Sequence, residues 1–228
     1  MSISSTAFIV FLLLSLGLTV SYFVGHKKNL RLIESVSKCL EKALKPSDKE
    51  YTWLGGVLGF TGNFVLEDFK KVTASVFMLP RQSVLYFPFS YISTGYDRLE
   101  VMFYLKEKMS NEMHVIRQLK PRYRMPSIYE KETLKSESVF FNGKAFLIMY
   151  RNRTREVSEL ITLGQNLESL GLMHIAVTPG KGIFYVKLKI ILSDTEKIAQ
   201  ALEKCISFLQ VWEKNQSDVG KRKKRAKT

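Results

Sequence analysis

The residues that could do acid–base or metal chemistry in this 228-residue chain are few and scattered. Catalysis needs groups that converge: an acid, a base, a nucleophile, or a set of metal ligands. The histidines His26, His114 and His174 stand in no HxxxH or HExxH relation. His174 falls inside an apolar stretch and reads as a satisfied core residue. The carboxylates are dispersed over polar helix faces and turns, without an EF-hand pattern, and no GxSxG occurs. Gly55, Gly56, Gly59 and Gly62 could suggest a phosphate loop, but no GxxxxGK(S/T) or GxGxxG follows them, so a strand with a bulge or turn is expected there. Cys39 and Cys205 are far apart, form no CxxC, and fall on apolar helix faces, which reads as two reduced core thiols. The chain is therefore expected to be non-enzymatic, with no catalytic residue, metal or cofactor.

Its distinctive chemistry is positive charge. Thirty-five Lys and Arg against 21 Asp and Glu give a net charge of +14, which suits nucleic acid or an anionic membrane surface. Two clusters stand out. In residues 120–138, Arg122 and Arg124 interleave with Tyr123 and Tyr129. Such a loop either clamps phosphates and stacks on unpaired RNA bases or is a solvated connection. Near the end, Lys221, Arg222, Lys223, Lys224, Arg225 and Lys227 form a like-charge run that binds polyanions by counterion release. It reads as a basic disordered tail over 216–228.

These charges are positioned by one apolar element. Residues 7–24, AFIVFLLLSLGLTVSYFV, carry no charge. At about 1.5 Å per residue they cover roughly 27 Å, close to the ~30 Å of a bilayer's hydrocarbon core. Ala7, Phe8, Phe11, Leu12, Leu16, Val20, Phe23 and Val24 are the expected anchor residues. The run is long for a signal peptide and ends in a poor cleavage site, so a retained anchor over 1–25 is expected. Lys27, Lys28 and Arg31 follow directly, suit lipid headgroups, and by the positive-inside rule place the body in the cytosol and a short N-terminus outside.

Behind the anchor, Leu30, Ile33, Val36, Leu40 and Leu44 recur at helical spacing, predicting a juxtamembrane helix in 26–50 that continues the anchor or follows a break at Gly25. Residues 46–50 read as a turn. A cytosolic domain is expected over 51–215. Strands are predicted over 72–79, 97–106, 112–119, 145–150, 172–177 and 183–192 by alternation or continuous apolar runs. Residues 81–92 read as a Pro88-kinked helix whose aromatics, Tyr86, Phe87, Phe89 and Tyr91, mostly pack in the core, their excess over one face being left for lipid or another protein. A helix capped by Thr154 and stopped at Gly171 is predicted, then a last helix opened by a Ser193–Glu196 capping box, carrying a stripe of Ile198, Leu202, Cys205, Leu209 and Trp212. The fold class is α+β: one N-terminal transmembrane helix, then a mainly antiparallel sheet with packed helices.

Three stretches carry a likeness: residues 77–85 (FMLPRQSVL), residues 163–170 (LGQNLESL) before the His174 strand, and residues 184–227 with their strand, helix and basic end. In this arrangement the chain resembles the calumin family, the coiled-coil-domain subunit of the PAT complex (protein associated with the translocon), in a reduced form. The resemblance implies a membrane-protein biogenesis factor beside a Sec-type translocon, with a small transmembrane partner subunit, the ribosome and its RNA, membrane lipids, and multipass clients as partners. Arg122, Arg124 and the terminal basic run would contact ribosomal RNA. The membrane would be the plasma membrane of an archaeon or the endoplasmic reticulum of a eukaryote. A membrane-anchored scaffold or anionic-lipid-surface module unrelated to translation fits the same residues.

Overall fold

A computed structural model of the chain describes residues 5–107, 109–119, 126–128 and 131–225, with side chains described through residue 214. Helix α1, Ser5–Leu44, is continuous. The anchor and the juxtamembrane helix are thus one rod, without a break at Gly25. It stops where Lys45 takes a left-handed φ of 45° and Pro46 follows, which cannot continue a helix. The sheet then begins at once: β1 is Asp48–Trp53, so the turn expected over 46–50 is shorter than its composition suggests. Gly55 and Gly56 both take positive φ and turn the chain into β2, Gly59–Val65.

After β3 (Lys71–Phe77) come the short helix α2 (Tyr86–Ser93), β4 (Arg98–Tyr104) and β5 (Met113–Arg117). The stretch expected as an unstructured link through Ser138 instead holds a 3-10 turn at Lys131–Thr133 and enters β6, Lys135–Phe141. Then follow β7 (Lys144–Tyr150), α3 (Arg155–Glu168), β8 (Leu172–Thr178), β9 (Ile183–Lys189) and α4 (Glu196–Arg225). The backbone of α4 is helical through Arg225, where a disordered tail from 216 was expected.

The described strands form one wholly antiparallel sheet in the order β1-β2-β3-β4-β9-β8-β5-β7-β6. A meander of β1 to β4 is joined to the C-terminal half along β4–β9, where Leu99, Val101 and Phe103 oppose Leu188, Val186 and Phe184. These six side chains are fully buried. They lie on the face covered by the second half of α1 and by α3 and α4, and burying each such side chain contributes about 1.5–3 kcal/mol. The stripe on α4 from Ile198 to Trp212 is buried as its spacing predicts, and Cys39 and Cys205 are buried free thiols.

Both predicted caps differ in detail. Thr154 holds the N-cap position of α3, but its hydroxyl accepts from Asn111 Nδ2 at 3.3 Å rather than capping the helix. Helix α4 begins at Glu196, and the Ser193–Glu196 box is not formed. Thr195 Oγ1 bonds Ser35 Oγ of α1 at 2.7 Å, and the Glu196 carboxylate pairs with Lys42. Tertiary contacts with α1 take the groups that local capping would have used.

Candidate membrane interface

Two parts of the fold meet where α1 leaves its apolar half. From residue 5 to residue 24 the helix carries no charge and, apart from partial cover at Ser15 and Ser21, is exposed all round. Among the described residues it is the one helix long and apolar enough to cross a membrane. All eight expected anchor residues are exposed on it. Thr19 Oγ1 donates to Ser15 O at 2.8 Å, satisfying that hydroxyl within the helix as an apolar medium demands.

At Gly25 the surroundings change within one turn. A Cβ there would lie 2.1 Å from the Arg81 carbonyl oxygen, so only glycine lets the chain at Arg81 pack on the helix. One turn later, Asn29 is fully buried. Its Nδ2 donates to Leu79 O at 2.8 Å and Val57 O at 3.1 Å, and its Oδ1 accepts from Arg81 Nη1 at 3.0 Å. Arg81 in turn grips Asp97 with both arms, Nη1 to Oδ1 at 2.8 Å and Nη2 to Oδ2 at 2.6 Å. Leu79 N–H donates to the same carboxylate at 2.7 Å. The side chain of Asp97 is 1 % exposed and that of Arg81 10 %. A buried ion pair is tolerated when its geometry is bidentate and its remaining sites are bonded, and both conditions hold here. This clamp fixes the body to the rod.

Past Arg81 the chain turns back along the apolar half of α1. Residues 82–85 line a recess of about 400 Å³ with Leu18, Thr19 and Tyr22. The rise from Leu18 to Gly25 is roughly 10 Å, so this segment lies well inside the apolar stretch. It leads into α2, none of whose residues is buried. Leu85, Tyr86, Phe89 and Ile92 are 78, 69, 73 and 62 % exposed. The expectation that these aromatics pack in the core is overturned. Pro88 sits at the third position of α2, in the first turn, where a missing N–H costs the helix least. No charged residue occurs from 82 to 96. A contiguous apolar surface of this kind marks an interaction site.

The expected headgroup residues Lys27, Lys28 and Arg31 are exposed on α1 just beyond this level. Arg122, Arg124 and Lys227 lie outside the described residues, and Lys221, Arg222, Lys223, Lys224 and Arg225 belong to the helical backbone of α4.

The two histidines that sequence spacing kept apart do meet. His114 Nδ1 and His174 Nε2 are 3.3 Å apart on the sheet face away from α1, and His114 Nε2 lies 3.4 Å from Glu112. Burial holds His114 below its ordinary value despite Glu112. Burial, then the His114 and Lys187 charges, push His174 down to about 3. Both rings are neutral at pH 7, and the pair satisfies itself. Among the described residues no three His, Cys, Asp or Glu side chains are grouped to hold a metal.

Sequence reading missed the clamp and gave the exposure of α2 only as the lesser alternative to core packing. One signal was available: Asn29 interrupts an apolar stripe of Gly25, Ile33, Val36 and Leu40, so a polar side chain had to be buried and paired. Its partners, 50 and more residues away, carry no local sign. No protein-family model matches the chain, and no curated protein matches it either.

Proposed function

We propose that this chain is a non-enzymatic single-pass membrane protein whose α+β body is docked on the bilayer surface as a scaffold, with α2 lying in the interface. The observation that carries this reading is the position of α2. Its lead-in segment packs beside Leu18 and Tyr22 of the span, and its own apolar residues face outward. An interfacial helix buries its apolar face ~5–10 Å into the headgroup–acyl boundary, the depth at which this segment sits relative to Gly25. Tyr86 and Tyr91 suit that boundary, where a ring can be half in lipid and its hydroxyl in water. The body is assigned to the cytosolic side, with Lys27, Lys28 and Arg31 at the headgroups.

A nitroxide on Phe89→Cys in the full chain tests this, since the native thiols are buried. In vesicles it should collide more with oxygen than with a water-soluble nickel chelate. The opposite ratio, matching a label on exposed Ser136→Cys, would remove α2 from the membrane.

A second reading, a biogenesis factor assisting multipass insertion beside a Sec-type translocon, is favoured by one observation. Gln210 bonds Asp68 at 2.7 Å, in the turn joining β2 to β3 at the strand ends remote from Gly25, and α4 runs on through Arg225. That is roughly 22 Å of further helix ending in five consecutive basic residues, aimed away from the span. Ribosomal RNA is the polyanion this reading names. Deleting residues 221–228 should weaken ribosome co-sedimentation with a steep salt dependence. Unchanged co-sedimentation at low and high salt would count against it.

A further inference from the structure

The strand ends nearest the span carry a cleft of about 690 Å³ whose lining is strongly one-sided in charge. Five basic side chains face two acidic ones across it. Both carboxylates are already matched. Asp97 is held by Arg81 in the clamp, and Glu168 is bonded by Lys144 and by Asn142 Nδ2, the latter at 3.1 Å. Burial alone would raise the Glu168 carboxyl. The bonds from Lys144 and Asn142, with the charges of Lys144 and Arg117, outweigh it and hold the group below its ordinary value. Lys28 and Lys189 have no ion pair among the described residues, and Arg117 reaches Glu168 only through its field. The cleft therefore carries a surplus of positive charge, with Lys28 and Lys189 exposed and free to meet an outside anion.

Its position says which anion. Lys28 is one turn beyond Gly25, about 4.5 Å along the axis, and the headgroup layer on each side of a bilayer is roughly 5–8 Å deep. Phe87 and Tyr91 of α2 also line the cleft, so its wall combines cationic and apolar side chains. A ligand with a phosphate at one end and hydrocarbon at the other fits both parts. We infer that this cleft binds the phosphate headgroup of an anionic phospholipid from the bilayer around α1, with Lys28, Arg117 and Lys189 as its contacts. The inference rests on the docked orientation proposed above and goes beyond it, because docking by α2 needs no particular headgroup.

The experiment uses the full chain in a neutral detergent, titrated with short-chain phosphatidylglycerol, short-chain phosphatidylcholine or inorganic phosphate, and reads thermal unfolding. Phosphatidylglycerol at a hundredfold excess over its Kd should raise Tm by roughly 5–10 °C, while phosphatidylcholine should not. The shift should be lost in Lys28→Gln/Lys189→Gln, which breaks no ion pair within the protein, and kept in Lys27→Gln/Arg31→Gln, whose residues are exposed on the same helix outside the cleft. An equal loss in both variants would mean general surface charge and would overturn the site. An equal shift with inorganic phosphate would overturn the lipid as occupant. The nitroxide at position 89, read in purely zwitterionic vesicles, reports docking separately. A phosphatidylglycerol shift without docking would leave the cleft and remove the orientation, and docking without a shift would do the reverse.

Discussion

Along β2, β3, β4 and β9 the two faces of the sheet solve burial in opposite ways. On the face under α1, α3 and α4, the inward side chains of the central strands are apolar, and Phe103 packs with Phe69 and Phe184 at ring-centroid distances of 5.2 and 6.1 Å. The other face is polar along β2, β3 and β4, while around β5 and β7 it carries a small apolar cluster of Ile116, Leu134 and Met149. Thr61 bonds Ser75 at 3.0 Å, Thr73 bonds Asn63 at 3.1 Å, and Glu100 sits between Arg98 and Lys187 at 3.0 and 3.4 Å. Arg98 also lies 4.3 Å over the Phe77 ring. The first face owes its stability to removing hydrocarbon from water. On the second, satisfied hydrogen bonds only offset desolvation, so they add little net energy but fix which strands pair.

The largest effect that would test this contrast is Phe103→Ala. It should cost ~3–5 kcal/mol in urea unfolding of the full chain in detergent. A loss near 1 kcal/mol would mean that the packed face is looser than its burial suggests. On the other face the expected effect depends on pH. His174 has a folded pKa of about 3, below its ordinary 6.5, so the unfolded chain takes up the proton first. Its neutral form contributes fully above about pH 6.5, and that contribution falls as pH drops toward 3. Between pH 7 and 5 it accounts for a loss on the order of 2 kcal/mol. His174→Phe should flatten that slope, leaving the part due to His114, and an unchanged slope would place the pH dependence elsewhere. The smallest effect is Glu100→Gln, about 0.5–1 kcal/mol, since its ion pairs are part-exposed. A cost of 3 kcal/mol or more would show that the polar face carries net stability after all.

The packed face was the more legible one in the sequence. Strand β4 announces itself because Leu99, Val101 and Phe103 alternate with polar residues, and β9 repeats the pattern with Phe184, Val186 and Leu188. The apolar half of α1 was equally plain, because a charge-free run of that length has few other uses. Strand β6 was missed because its first residues, KSES, carry no apolar period: Lys135, Ser136 and Ser138 are exposed on the last strand of the sheet. The clamp of Asn29, Arg81 and Asp97, the His114–His174 pair and the cationic cleft escaped for a different reason. Each joins residues from distant elements, and periodicity reports only what one element buries. Aromatic richness in α2 was read as core because aromatics dominate interiors. The decisive fact, that nothing covers them, is a property of the assembled fold.

Because α1 passes from its apolar half into the body without a break, and Asn29 and Gly25 lock it there, the rod has no joint at the water line. Any lean of the buried half must be copied by everything attached to it. A nine-strand sheet is roughly 40 Å across, and membrane helices commonly lean by about 20°. Such a lean swings a point 40 Å from the pivot by roughly 14 Å. The body therefore behaves as a lever, and the thickness of the surrounding lipid becomes a mechanical input to where its outer rim points.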